Sequence, residues 1–167
     1  DWLKARPHLP LNSEKQLCVA DVGTGSGCIA ISLAYHLPGL YLAAIDISYA
    51  ALKVARTNAE RQNVVNRLSF LQADLLSSIA DRPTFYLICA NLPYIPKEIL
   101  PGLPVYRREP ALALDGGAGG LRFIRRLLQE AQPRLSPGGL LLLEIEASQG
   151  LSAPALAQQA FPSASVQ

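Results

Sequence analysis

Leu17-Cys18-Val19-Ala20-Asp21-Val22-Gly23-Thr24-Gly25-Ser26-Gly27, running on into Cys28-Ile29-Ala30-Ile31-Ser32, carries the reading of the fold. Residues 17–20 are an unbroken apolar run, as befits a strand buried on both faces. Glycines follow at alternate positions, and residues 29–37 read as a helix that Pro38-Gly39 breaks. The rest of the chain repeats this alternation of strand and helix, which predicts an α/β fold with a mostly parallel sheet and helices on both faces. Further strands are expected at 40–45, 67–73, 84–90 and 140–145, the last after a turn at Pro137-Gly138-Gly139. Helices are expected from Ser48, a good N-cap, to about residue 62, then at 121–131 and 152–159. Leu52, Ala55 and Ala59 share one helical face. Leu121, Ile124, Leu128 and Ala131 share another, and Arg122, Arg125, Arg126 and Gln129 form a solvated surface opposite.

The 167 residues are 50% apolar and 17% charged, which suits one domain with its own core and argues against disorder. Fifteen basic and thirteen acidic side chains leave a net charge of +2, so no bulk positive field suggests nucleic acid. No apolar run reaches the roughly eighteen residues of a membrane span. The opening Asp1-Trp2-Leu3-Lys4 lacks the apolar core of a secretory signal. Cys18, Cys28 and Cys89 are odd in number and have no C-x-x-C spacing, so neither a disulfide nor a metal site is expected. They are assigned to the interior as small apolar groups, in a reducing, cytoplasmic setting. The chain holds no Met, and Phe161-Pro-Ser-Ala-Ser-Val-Gln167 reads as the start of a strand, so both ends are expected to be cuts.

Asp21, Asp46, Asp74 and Asn91 fall at or near the carboxyl ends of four successive expected strands, where open α/β sheets bind ligands. The loop between them is not a dinucleotide fingerprint: Gly23 and Gly25 match, but Cys28 stands where the third glycine belongs. No Lys follows for a phosphate loop, and an acid directly before the loop would repel a pyrophosphate. A cationic ligand that carries a nucleoside suits Asp21 better, and S-adenosyl-L-methionine is such a ligand. Asp46, nineteen residues after Gly27, then suits ribose hydroxyls, and Asp74 an adenine amino group. For each residue alone, a helix cap or a packing turn is the competing reading.

Asn91-Leu92-Pro93-Tyr94 follows the fourth strand. Asn91 offers a side-chain carbonyl acceptor, Pro93 fixes the local backbone, and Tyr94 offers a flat face for stacking. This set suits methyl transfer to a weakly basic planar nitrogen. Acceptors that hold its hydrogens aim its lone pair, so no strong base is needed. His8 and His36 lie far from the motif, and His36 reads as structural. The competing reading is an ordinary proline turn.

Taken together, Asp21-Val-Gly-Thr-Gly-Ser-Gly-Cys-Ile-Ala-Ile-Ser32, Asp46, Asn91-Leu-Pro-Tyr-Ile95, Arg108-Glu-Pro-Ala-Leu-Ala-Leu-Asp-Gly-Gly117 and Gly138-Gly-Leu-Leu-Leu-Leu-Glu-Ile145 resemble the peptide chain release factor glutamine N5-methyltransferases. The resemblance implies a class I, Rossmann-like methyltransferase domain over residues 1–167, truncated before its closing strands and lacking the family's N-terminal helical domain. It implies transfer of a methyl group from S-adenosyl-L-methionine to the glutamine of a Gly-Gly-Gln motif in a release factor. Asp21, Gly23, Thr24, Gly25 and Gly27 would face the methionine part, Asp46 and Ile47 the ribose, and Asp74 with Leu75 the adenine. Asn91 and the Pro93 carbonyl would hold the substrate amide, with Asn91 also beside the cofactor and Tyr94 packing alongside. Glu109 and Pro110 would shape the substrate cleft, unless Glu109 only pairs with Arg107 or Arg108. Leu92 stands where the family usually has Pro, which also brings the motif close to that of RNA adenine-N6 dimethyltransferases. Those usually carry Glu at the Asp46 position and lack Gly116-Gly117. A binding module without turnover is the remaining alternative. The expected partner is a release factor, with no membrane or direct nucleic-acid contact, and a monomer is expected.

Overall fold

The structure, a computed structural model, describes residues 19–107 and 113–167. Its strands are β1 (Val19–Val22), β2 (Leu42–Asp46), β3 (Leu68–Gln72), β4 (Phe85–Ala90) and β5 (Leu135–Leu143). They pair in the order β3-β2-β1-β4-β5, and every pair is parallel. Parallel neighbours need crossover connections. Here α1 (Cys28–His36) and α2 (Tyr49–Arg61) connect β1 to β2 and β2 to β3, while α3 (Arg122–Ala131) precedes β5 and α4 (Ser152–Ala160) follows it.

The period of two along each strand divides the core into two layers. Val19, Leu42, Ala44 and Leu87 pack with Ala30, Ile31 and Ala34 of α1 and Ala59 of α2. Ala20, Ala43, Ile45 and Ile88 face the other way and pack with Leu127 and Ala131 of α3. Helices therefore cover both faces of the sheet, and α4 packs against α3. From β1 the chain builds outward through β2 and β3, then returns to place β4 on the other side of β1. That reversal opens a crevice between the loops after β1 and β4, where this class of sheet binds ligands.

Several boundaries differ from the sequence reading, each for a local reason. β2 begins at Leu42 and keeps Asp46 as its last residue, while a short 3₁₀ turn, Val65–Arg67, delays the start of β3. Pro137-Gly138-Gly139 does not precede β5 but lies inside it. Phe85 pairs with Leu135 and Leu87 with Leu140, so the extra residues form an irregularity within one continuous strand. Among the described residues β5 is the outermost strand; Pro137 falls in the irregular stretch between the paired residues, where it sacrifices no ladder bond, and Gly138 takes φ +71°. In α3 the buried stripe is Ile124, Leu127, Leu128 and Ala131, with Leu121 at the N-cap. Residues 161–167 form no strand; a turn closes α4, with Ala164 N–H donating to Phe161 O. Cys28 is exposed rather than interior because it opens α1 at the mouth of the glycine loop. Cys89 is buried in β4, and Cys18 lies outside the described residues. Among the described residues no helix is long and apolar enough to cross a membrane, and no group of His, Cys, Asp or Glu could hold a metal ion.

Candidate active site

Asp21 sits in β1 and is 1% exposed. Its Oδ2 accepts from Thr24 Oγ1 at 2.6 Å and from the Ala30 N–H, in the first turn of α1, at 3.0 Å. One oxygen thus caps the helix, as the competing reading proposed. The other, Oδ1, is buried and has no partner. Burial raises the Asp21 pKa; the Thr24 and Ala30 bonds oppose that rise, and the Asp46 charge adds to it. A desolvated carboxylate with an idle oxygen is a strong site for a cation.

The loop above Asp21 is tied to β2. Gly23 N–H and Thr24 N–H both donate to Ile45 O, at 2.8 and 2.9 Å. Gly25 N–H donates to Asp46 Oδ2 at 2.8 Å, and Ser48 N–H donates to Asp46 Oδ1 at 2.8 Å. Gly27 adopts φ +86°, and a Cβ there would lie 2.8 Å from Ile31 Cδ1 and 3.0 Å from Ala55 Cβ. Only glycine lets the loop close onto α1 and α2 at this point.

The turn after β4 meets this loop. Leu92 is buried, and its Cδ2 lies 2.9 Å from the position a Gly23 Cβ would take. Asn91, Leu92, Pro93 and Tyr94 line one cleft of about 540 Å³ together with Asp21, Gly23, Thr24 and Gly25. Tyr94 Oη donates to Glu144 Oε1 at 3.2 Å, which ties the turn to the end of β5. Behind it, Ile95 N–H donates to Leu114 O at 3.1 Å and Gly116 N–H to Ile95 O at 2.8 Å.

Gly27, Asp46, Ile47, Asp74 and Leu75 are not in the lining of this cleft. Asp46 stands behind the loop, and Ile47 beside it is 50% exposed. Asp74 receives both Arg126 Nη1 (3.2 Å) and Nη2 (3.0 Å), so Arg126, though partly solvated, is tied to a specific partner rather than to water alone. Nη2 also reaches Glu130 at 3.3 Å, and Glu130 Oε2 accepts from Leu76 N–H at 2.9 Å. Between those anchors Leu75 is buried with φ +52°, an uncommon backbone state for a branched residue. Glu109 and Pro110 lie outside the described residues. Sequence reasoning missed Glu144, Arg126, Glu130 and Gln149. Two local signals were present, the spacing Glu146-x-x-Gln149 of a capping box and the i,i+4 spacing of Arg126 and Glu130.

A crevice at the reversal point of a parallel sheet, floored by a buried acid under a glycine loop, is the architecture of a class I methyltransferase. Residues 7–98 match the methyltransferase small domain family, and the chain belongs to that family. It is 50% identical over 141 residues to a release factor glutamine methyltransferase of Moorella thermoacetica, covering 84% of this chain and 50% of that protein. It is 42% identical over 128 residues to a ribosomal protein uL3 glutamine methyltransferase of Bradyrhizobium diazoefficiens, covering 76% of this chain and 40% of that one. Among solved structures it is similar to ribosomal protein L11 methylase from Lactobacillus delbrueckii subsp. bulgaricus, with TM-score 0.56, 25% identity, and coverage of 90% and 60%. The chain spans about half the length of the curated relatives it matches.

Proposed function

We propose that this domain transfers a methyl group from S-adenosyl-L-methionine to the side-chain amide nitrogen of a glutamine, and that its substrate is the Gly-Gly-Gln glutamine of a peptide chain release factor. The carrying observation is the shared cleft: the loop with the orphaned Asp21 oxygen and the Asn91–Tyr94 turn line the same space. Both curated relatives described above are named for glutamine methylation, which supports a protein amide over an adenine of RNA or DNA. The greater identity to the release factor enzyme favours that substrate over a ribosomal protein.

The residues present fit the cofactor. Asp21 Oδ1 is a buried acceptor suited to its ammonium group, and the loop glycines keep side chains out of its path. Once bound, the cofactor supplies an electrophilic methyl carried on sulfur that departs as a neutral thioether. The chain's own work is positioning and electrostatics. The Asn91 side-chain oxygen and the Pro93 carbonyl each accept one hydrogen of the substrate amide, which turns the nitrogen lone pair toward the methyl carbon. The nitrogen becomes acidic on gaining the new bond and gives one proton to water, so no histidine or other strong base is required. Tyr94, tethered through its hydroxyl to Glu144, stacks beside the carboxamide plane. Asp46, Ile47, Asp74 and Leu75 serve the nucleoside end from the rims of β2 and β3, while Glu109 and Pro110 border the substrate side. The domain acts as a monomer in the cytoplasm.

The test is label transfer from methyl-tritiated cofactor by the full-length protein, offered release factor, ribosomal protein uL3 or RNA in separate reactions. Label in the release factor, lost when its Gly-Gly-Gln glutamine is replaced by alanine, is the expected result. Label in RNA alone overturns the amide reading, and label in uL3 alone overturns the choice of substrate.

A further inference from the structure

Gln149 is 2% exposed although nothing in the proposed chemistry calls for it. It ends the short 3₁₀ turn Ala147–Gln149 that follows β5, where Glu146 is the N-cap. Its amide is fully used. Nε2 donates to Tyr94 O at 3.0 Å and to Gly119 O at 3.2 Å, and Oε1 accepts from Glu146 N–H at 3.1 Å. One side chain therefore joins the turn after β4, the glycine segment before α3 and the end of β5.

The packing around it is equally tight. Gly120 has φ +71°, and a Cβ there would lie 2.0 Å from Tyr94 O and 2.5 Å from Gln149 Nε2. A Cβ on Gly116 would lie 2.8 Å from Pro93 O, the carbonyl assigned to the substrate amide. An ordinary cap satisfies its own helix; both donors of Gln149 instead serve carbonyls of other segments. Losing them removes the one donor group that both the Tyr94 and Gly119 carbonyls share, so the Tyr94 peptide is no longer held against the glycine segment and can rotate. The Tyr94 peptide adjoins both the Tyr94 ring and the Pro93 carbonyl, so its rotation misaligns the amide grip.

We infer that Gln149 is a positioning residue: its carboxamide clamps the Asn91–Tyr94 turn against the Gly116–Gly120 segment and so sets the direction in which the turn presents its acceptors to the substrate amide. Its activity readout rests on the methyl-transfer reading, whereas the clamp itself is readable without turnover.

The experiment compares full-length wild type, Gln149→Leu and Gln149→Glu by amide hydrogen exchange, S-adenosylhomocysteine titration and methyl-transfer kinetics. In Gln149→Leu, exchange at the Ile95 and Gly116 amides rises by about tenfold or more while β1 and β4 amides stay protected. In the same variant kcat falls by about a hundredfold with S-adenosylhomocysteine affinity unchanged. Gln149→Glu recovers activity as pH falls, because only the protonated acid can donate to a carbonyl. Unaltered exchange at Ile95 and Gly116 overturns the clamp, as does exchange that rises equally in every strand together with lost affinity for S-adenosylhomocysteine. A wild type that methylates no glutamine overturns the proposed function, and the exchange data then still decide for or against the clamp.

Discussion

Thr24 donates to Asp21 across 2.6 Å beneath the glycine loop, and that bond engages one carboxylate oxygen while the other stays buried and idle. In the proposed function a ligand ammonium would complete the pair. Burial raises the Asp21 pKa, so the folded, empty protein holds this proton more readily than the unfolded chain. Stability of the empty protein therefore falls as pH rises from the ordinary carboxylate range through the raised value. Affinity for the cationic cofactor rises over the same interval as the carboxylate forms. Asp21→Asn is expected to weaken S-adenosylhomocysteine binding about a hundredfold and to remove this acid-side pH dependence, read by calorimetric titration across pH.

Gly119 and Gly120 separate backbone strain from collision. Both have positive φ, but a Cβ on Gly119 meets nothing within 4 Å, whereas one on Gly120 meets the Tyr94 carbonyl at 2.0 Å. Gly119→Ala is expected to cost about 1 kcal/mol and to keep methyl transfer. Gly120→Ala is expected to cost about 3 kcal/mol or more and to abolish transfer. Thermal unfolding and turnover of the two variants check the contrast.

Arg126 holds Asp74 from α3 in an ion pair whose side chains are 38% and 44% exposed. Solvent screens such a pair, so Arg126→Ala is expected to lower stability by about 1 kcal/mol at most. If Asp74 serves the adenine as proposed, then with Asp74 untethered affinity for S-adenosylhomocysteine is expected to fall about fivefold while kcat is kept. Denaturant melts and KM for the cofactor test both parts.

Cys28 and Cys89 differ in reach. Cys28 is exposed and borders the cleft. Burial, helped by the Asp21 charge, pushes the Cys89 thiol up to about 12. At pH 8 iodoacetamide is expected to modify Cys28 and spare Cys89, and S-adenosylhomocysteine to slow the Cys28 reaction. Peptide mass spectrometry of the labelled protein reads both outcomes.

The sheet is legible because most of its strands are short apolar runs with a polar residue at or just past the end, Asp46, Asp74 two residues beyond β3, and Asn91, a pattern that fixes direction as well as position. The glycine loop was legible for a similar reason, since backbone approach demands a residue type. β5 was misread at its start because Pro137 signals a turn in sequence, yet the irregular stretch of the strand tolerates it. Cys28 was misplaced because composition speaks of the average cysteine and not of the first residue of a helix. The long-range partners were silent. Arg126 reaches Asp74 across 52 positions and Gln149 reaches Tyr94 across 55, and no local pattern encodes such pairings. Asp21 carries two competing readings in sequence, cap and ligand acceptor, and the structure gives one oxygen to the cap and leaves the other buried without a partner.

Asn91→Ala in the full-length protein, with turnover on release factor and S-adenosylhomocysteine affinity measured on one preparation, bears most directly on the account. Loss of an acceptor that holds the amide is expected to cut kcat about a hundredfold or more and to leave affinity for the cofactor product essentially intact. Undiminished turnover, or turnover and affinity falling together, would contradict the division of the cleft into a cofactor side and an amide-gripping side.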